Sequence, residues 1–178
     1  MKNLWLWQLA GYAFAMVLGT LLHFILNWTG WMFLAPISAV NESTWEHMKI
    51  LFFPMLFFAC IQSLFFHYGK AGFWWIKLIG ICIGVFSIPI LFYTFNSAFG
   101  KTPDWLNVVF FFLSAGLAYL VESVLFRKAF PLPLQWIAIV LLIVFLALFI
   151  IFTVFPPALP LFQDPITGLY GLKAVHAH

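Results

Sequence analysis

A polytopic, all-α membrane bundle of about five transmembrane helices is the architecture this chain encodes. Three features carry that reading: a nearly chargeless composition, apolar runs of bilayer length, and no strand-like alternation. Hydrophobic residues make up 65% of the 178 and charged ones 7%, where a soluble domain carries about 25% charged residues. Mean hydropathy is +1.08. Phe occurs 24 times and Trp nine times, as expected where rings meet lipid and mark its interfaces. A transmembrane barrel would show stretches of about ten residues alternating apolar and polar, and none is visible.

Crossing the hydrocarbon layer takes about 20 apolar residues. The expected spans are 5–27, 48–68, 74–95, 105–126 and 134–155, in a single domain over 1–178 whose tail is 156–178. Span one follows Lys2 and offers Ala13-Phe14-Ala15 as a cleavage-like site. Its apolar run continues past that point, so it reads as an uncleaved first helix. Within it Gly11, Ala15 and Gly19 recur every four residues, and the next step on that row is His23. Small residues let helices approach closely in lipid, so this row, and His23 with it, is expected to face neighbouring helices.

Residues 29–40, TGWMFLAPISAV, are too apolar for an ordinary loop and are broken by Pro36. They are expected to lie in the membrane interface or to dip partly into the bilayer. Pro54 and Pro89 fall inside spans two and three. Each frees the carbonyl four residues earlier, at Ile50 and Val85, and predicts a bend. Gly80 with Gly84, and Ser114 with Ala118, are further small-residue pairs suited to close packing or to a homo-oligomer. Cys60 and Cys82 both fall mid-span and read as packing residues without a disulfide framework. Glu122, five residues before Arg127, reads as a structural carboxylate reaching the interface. His67 is expected at the interface, Asp104 as a helix cap, and His176 and His178 in a disordered end. The tail sequence PPALPLFQDPITGLYG is rich in Pro and Gly yet keeps Leu, Phe, Ile and Tyr. Disordered segments lack such apolar content, so the tail is expected to fold back over the bundle.

A cytoplasmic N-terminus would put Lys2, Lys70, Lys77, Arg127 and Lys128 inside, against Lys49, Lys101 and Lys173 outside. That excess follows the positive-inside tendency and places the C-terminus outside a cell inner membrane. The 28–47 connection, the 96–104 loop and the tail then share one face, which holds Glu42, Glu46, Asp104 and Asp164. The net charge of +3 suits an anionic lipid surface. No basic run exceeds two residues, so nucleic acid is not an expected partner; the lipid bilayer is.

The densest polar stretch is SAVNESTWEHMKILFFP, residues 38–54. Part of it is helix-start chemistry. Asn41 can cap, with Val40 stapled to Trp45, or Ser43 can cap with Glu46 returning to the Ser43 amide. Capping accounts for one glutamate and leaves the other, and His47, without a role. On a helix Glu42 and Glu46 share a face, while His47 stands roughly 100° round from Glu46. With His23 arriving from span one, these residues form a His/His/carboxylate set suited to Zn²⁺ or another divalent metal. The expected metal ligands are His23, His47, Glu46 and Asp164 of the returning tail, and the expected catalytic carboxylates are Glu42 and Glu46.

Three functions are compatible with these residues. One is a metal-assisted membrane hydrolase acting on a lipid-like or envelope substrate. A second is a small transporter or ion-binding protein, and a third is a non-catalytic scaffold. The LHF of span one, the NES-x-WEH-x-K element and the DP-x-TG-x-YG tail together resemble a family of small, uncharacterised bacterial integral membrane proteins. The likeness covers nearly the whole chain. It implies a bacterial inner-membrane protein and brings no activity, cofactor or assigned site.

Overall fold

The computed structural model describes residues 3–65, 72–100, 103–128 and 133–177, except the side chains of Asp104 and residues 175–177. Five long helices make up the bundle: α1 (Leu4–Thr29), α2 (Thr44–Phe65), α3 (Phe73–Phe99), α4 (Asp104–Arg127) and α5 (Gln135–Val154). All five are long and apolar enough to cross a membrane. Short 3₁₀ turns follow at Met32–Leu34, Pro160–Phe162 and Gly171–Ala177. Helix α2 begins four residues before the expected span, because Ser43 already accepts from the Glu46 amide (3.4 Å). Pro103 is the N-cap of α4, so Asp104 is the first helical residue and not the cap.

Helices α1 to α4 close a ring in which each packs on the next and α4 returns to α1; α5 lies outside, chiefly against α3. Helix α2 is the most enclosed, with 67% of its apolar window buried against 22–39% for the others. The small-residue rows make this closeness possible. A Cβ at Gly11 would stand 2.6 Å from both Phe58 and Tyr119, and one at Gly84 3.0 Å from the Ala118 Cβ. These rows are spent on contacts within the chain. At Gly19 a Cβ would lie 2.6 Å from the Phe111 ring and 3.0 Å from the Ile50 carbonyl oxygen, the group Pro54 releases. Backbone at Ile50 cannot step aside. Gly19→Val is therefore expected to destabilise the bundle by about 1–3 kcal/mol, seen as an earlier unfolding midpoint in mixed micelles.

The tail folds back as its composition suggests. Phe162 lies 4.7 Å from Trp45, ring centre to ring centre, and Trp45 lies 4.5 Å from Phe149 of α5. Leu172 packs on Leu26, Ala35 and Val40, while the Asn41 side-chain amide donates to the Gly171 carbonyl (3.2 Å). Val40 and Trp45 thus belong to separate apolar clusters, and the expected staple between them is not made. Cys60 is exposed and not packed; Cys82 is half-buried, and both are free.

Two lysines counted above as flanking charges are buried. Lys77 of α3 pairs with Glu122 of α4 at 2.5 Å, both 1% exposed, and the Gln8 amide of α1 donates to the same carboxylate (3.2 Å). Glu122 is accordingly joined to neighbouring helices and does not reach the interface. The Lys77 ammonium also lies 5.7 Å from the Tyr119 ring centre and 5.6 Å from that of Phe126. Gly80 leaves room for the carboxylate, since a Cβ there would overlap the Glu122 side chain. Lys49 is the second case, and it belongs to the polar threshold of α2.

Candidate metal centre

At the α2 threshold the backbone doubles back sharply. The Asn41 side-chain oxygen accepts from the Ser43 amide (2.9 Å), and the Ala39 amide donates to the Leu22 carbonyl of α1 (3.0 Å). This turn swings Glu42 away from the helix start and against α1. There the Glu42 carboxylate lies between two imidazoles, Oε1 3.6 Å from His23 Nε2 and Oε2 3.7 Å from His47 Nε2. The two rings are 5.4 Å apart, centre to centre. One nitrogen from each histidine and one carboxylate oxygen lie within 4.8 Å of one another. Among the described residues this is the grouping of His, Cys, Asp and Glu close enough to share an ion.

The hydrogen bonds fix how these groups present themselves. His47 Nδ1 lies 2.9 Å from the Ser43 carbonyl oxygen, which can only accept, so Nδ1 carries the hydrogen. In the neutral ring Nε2 then turns a lone pair toward the Glu42 carboxylate. A lone pair facing an anionic oxygen is repulsive unless a proton or a cation stands between them. Both histidines are about four-fifths buried, and Glu42 is 37% exposed.

Glu46 and Asp164 stand outside this grouping. The Glu46 carboxylate accepts from the Val40 amide (3.0 Å) and pairs with Lys49 at 2.5 Å. It does not return to the Ser43 amide, which the Asn41 side chain already holds. Lys49 Nζ in turn donates to the Ala35 carbonyl (2.9 Å) and the Thr153 hydroxyl of α5 (2.8 Å). This buried clamp ties the interfacial segment, α2 and α5 together. Asp164 builds the tail's own turn, with Oδ1 accepting from the Ile166 amide (3.1 Å) and Oδ2 from the Thr167 hydroxyl (2.6 Å). His67, His178 and the side chains of Asp104 and His176 lie outside the described residues.

The two histidines and Glu42 line an open cavity of about 1100 Å³ bordered by α1, α2, α3, α4 and the tail turn at Pro165 and Ile166. Its outer wall is polar, with Asn27, Asn96 and Asn107. None of these asparagines was marked by sequence, since each sits singly near the end of an apolar helix. The Asn107 side-chain oxygen is buried with no hydrogen-bond partner among the described residues. Deeper, the wall turns apolar at Ile50, Ile88 and Phe111.

No curated protein and no solved structure matches the chain. One family model does, covering residues 1–172, and its description is a family of unknown function. A match over nearly the full length makes the chain a member of that family, DUF6512.

Proposed function

We propose that His23, Glu42 and His47 hold a divalent cation, Zn²⁺ in the simplest case, and that the cavity beside them is the site of a metal-assisted hydrolysis. One observation carries this reading: two imidazole nitrogens and a carboxylate converge, and the His47 nitrogen turns a lone pair toward that carboxylate. Tetrahedral zinc with bonds of about 2.0–2.1 Å holds neighbouring ligand atoms about 3.3 Å apart. The nitrogen–oxygen separations are 3.6 and 3.7 Å, to the two different oxygens of Glu42, and the three ligand atoms lie within 4.8 Å of one another, so side-chain closure of up to about 1.5 Å completes the set. The His47 Nδ1–H to carbonyl bond is the outer contact that metal-binding histidines ordinarily make.

Three protein ligands leave a fourth position for water, whose pKa zinc lowers to about 7. Here that position would open toward the cavity. Glu42 then serves as ligand, while Glu46 serves to neutralise Lys49 and hold the α2 threshold. The apolar floor favours hydrolysis over conduction, since a pore needs polar groups at successive depths. With Lys49 and Lys77 buried in ion pairs, Lys2, Lys70, Arg127 and Lys128 remain on one side against Lys101 and Lys173. The bias supports an N-terminus inside and a centre that faces out of the cytoplasm.

Metal analysis of protein purified without chelator should find one ion per chain near neutral pH. Protons compete with metal for imidazole, so the ion should be retained at about pH 8 and released by about pH 5, the range over which histidine charges. Protein devoid of stoichiometric metal at neutral pH, after reloading with zinc, would remove the proposal.

A further inference from the structure

The shape of the cavity says what kind of molecule would meet the centre. Its walls can be ordered by depth from the helix ends. Asn27 of α1, Asn96 of α3 and Asn107 of α4 are within about one turn of the membrane-face ends of their helices. His23, six residues from the end of α1, comes next, and His47 stands level with the asparagines, three residues into α2. Gly19, Thr20, Ile50, Ile88 and Phe111 lie deeper. From Asn27 to Gly19 is eight residues, or about 12 Å along a helix axis. The cavity is polar toward the helix ends and apolar toward the bilayer centre, with His23 between the two.

It also has an apolar side. Val108 and Phe112 of α4 are four residues apart and therefore on one helix face; both line the cavity, and they are 56% and 38% exposed. Phe24 of α1 lines it as well and is 40% exposed. These exposed apolar residues belong to α1 and α4, two helices of bilayer-spanning length, so the apolar side of the cavity is carried by helices that meet lipid. At the depth of α4 what lies outside is lipid. An acyl chain could enter from the bilayer without leaving hydrocarbon.

We infer that the cavity seats a single-chain amphiphile, its acyl chain on the floor of Thr20, Ile88 and Phe111 and its polar head among the asparagines. The volume of about 1100 Å³ lies just above the range of about 300–1000 Å³ that holds a drug-sized molecule. The carboxamide residues Asn27, Asn96 and Asn107 line the end of the cavity nearest the membrane face, so a head bearing hydroxyl or N–H groups suits it. Which bond of the amphiphile reacts rests on the metal-centre reading above; the seat for its chain does not.

The test uses the intact chain in lipid nanodiscs with a diazirine-tagged monoacylglycerol, labelled sites being mapped by peptide mass spectrometry. Labels are expected in residues 19–24 and 107–112, and an excess of untagged monoacylglycerol should suppress them at least tenfold while free glycerol does not. Thr20→Trp fills the floor from a position outside the packed core. It should lower this competable labelling at least tenfold yet retain bound zinc. Labelling that is not competable, or that falls only on the outward side of α5, overturns the chain seat even if zinc binds one per chain. Competable labelling in a protein that binds no zinc upholds the seat and removes the metal reading instead.

Discussion

Lys77→Met is expected to destabilise the bundle by about 3–5 kcal/mol, the effect of leaving a buried charge without its partner. Lys77 and Glu122 are each 1% exposed and lie between helices α3 and α4. With the ammonium gone, the Glu122 carboxylate keeps only the Gln8 amide as a hydrogen-bond donor. Its other oxygen has no partner among the described residues. The double variant Lys77→Met with Glu122→Leu removes both charges and should recover most of the loss, because a buried pair replaced by apolar side chains is often neutral or stabilising. Equilibrium unfolding of the wild type, Lys77→Met, Glu122→Leu and the double variant in mixed micelles, read as a double-mutant cycle, checks this. Equal damage in the single and double variants would mean that the pair is not the source of the instability.

The second large effect separates the two glutamates of the α2 threshold. Glu42→Gln and His47→Ala should each weaken metal binding at least a hundredfold, because each removes a proposed ligand; losses of 10–100-fold are typical for mere outer-shell partners. Glu42 makes no bond at the helix start, and the Ser43 carbonyl that His47 Nδ1 reaches still accepts from the Glu46 and His47 amides, so unfolding should change little. Glu46→Gln should do the reverse. It leaves Lys49 buried without its counter-charge, and it should lower stability by about 3 kcal/mol while metal affinity stays within a few-fold of wild type. Competition against a chromogenic chelator, together with unfolding midpoints, measures both quantities. Metal loss in Glu46→Gln with intact folding would reassign the ligand set.

The five helices were legible because length and hydropathy are local properties, and the bilayer imposes them on every span. The Gly11, Ala15 and Gly19 row was legible for a similar reason: a four-residue period survives in the folded helix and points His23 inward. The division of labour between Glu42 and Glu46 was not. On an uninterrupted helix they share a face, but the helix starts at Thr44. Glu42 therefore lies in the preceding turn, whose direction depends on the Asn41 to Ser43 bond. The role of Lys49 was also hidden. A lysine three residues after a glutamate reads as a flanking charge until Ala35 and Thr153 arrive from distant parts of the chain. Lys77 and Glu122 are 45 residues apart, and nothing local to either announces the other. The three asparagines of the cavity were silent for the same reason, being assembled by tertiary packing alone.

The Lys49 clamp has a consequence for biosynthesis. Its ammonium bonds to Thr153, near the end of the last helix, and Asn41 bonds to Gly171 still later in the chain. A ribosome delivers those partners only after the first four helices have emerged. Until then Lys49 has Glu46 and the Ala35 carbonyl but lacks Thr153, and the cavity lacks the part of its wall at Pro165 and Ile166. The protein thus completes its chamber only after α5 and the tail turn have emerged, and a chain truncated before α5 holds the two histidines without the Thr153 and tail contacts.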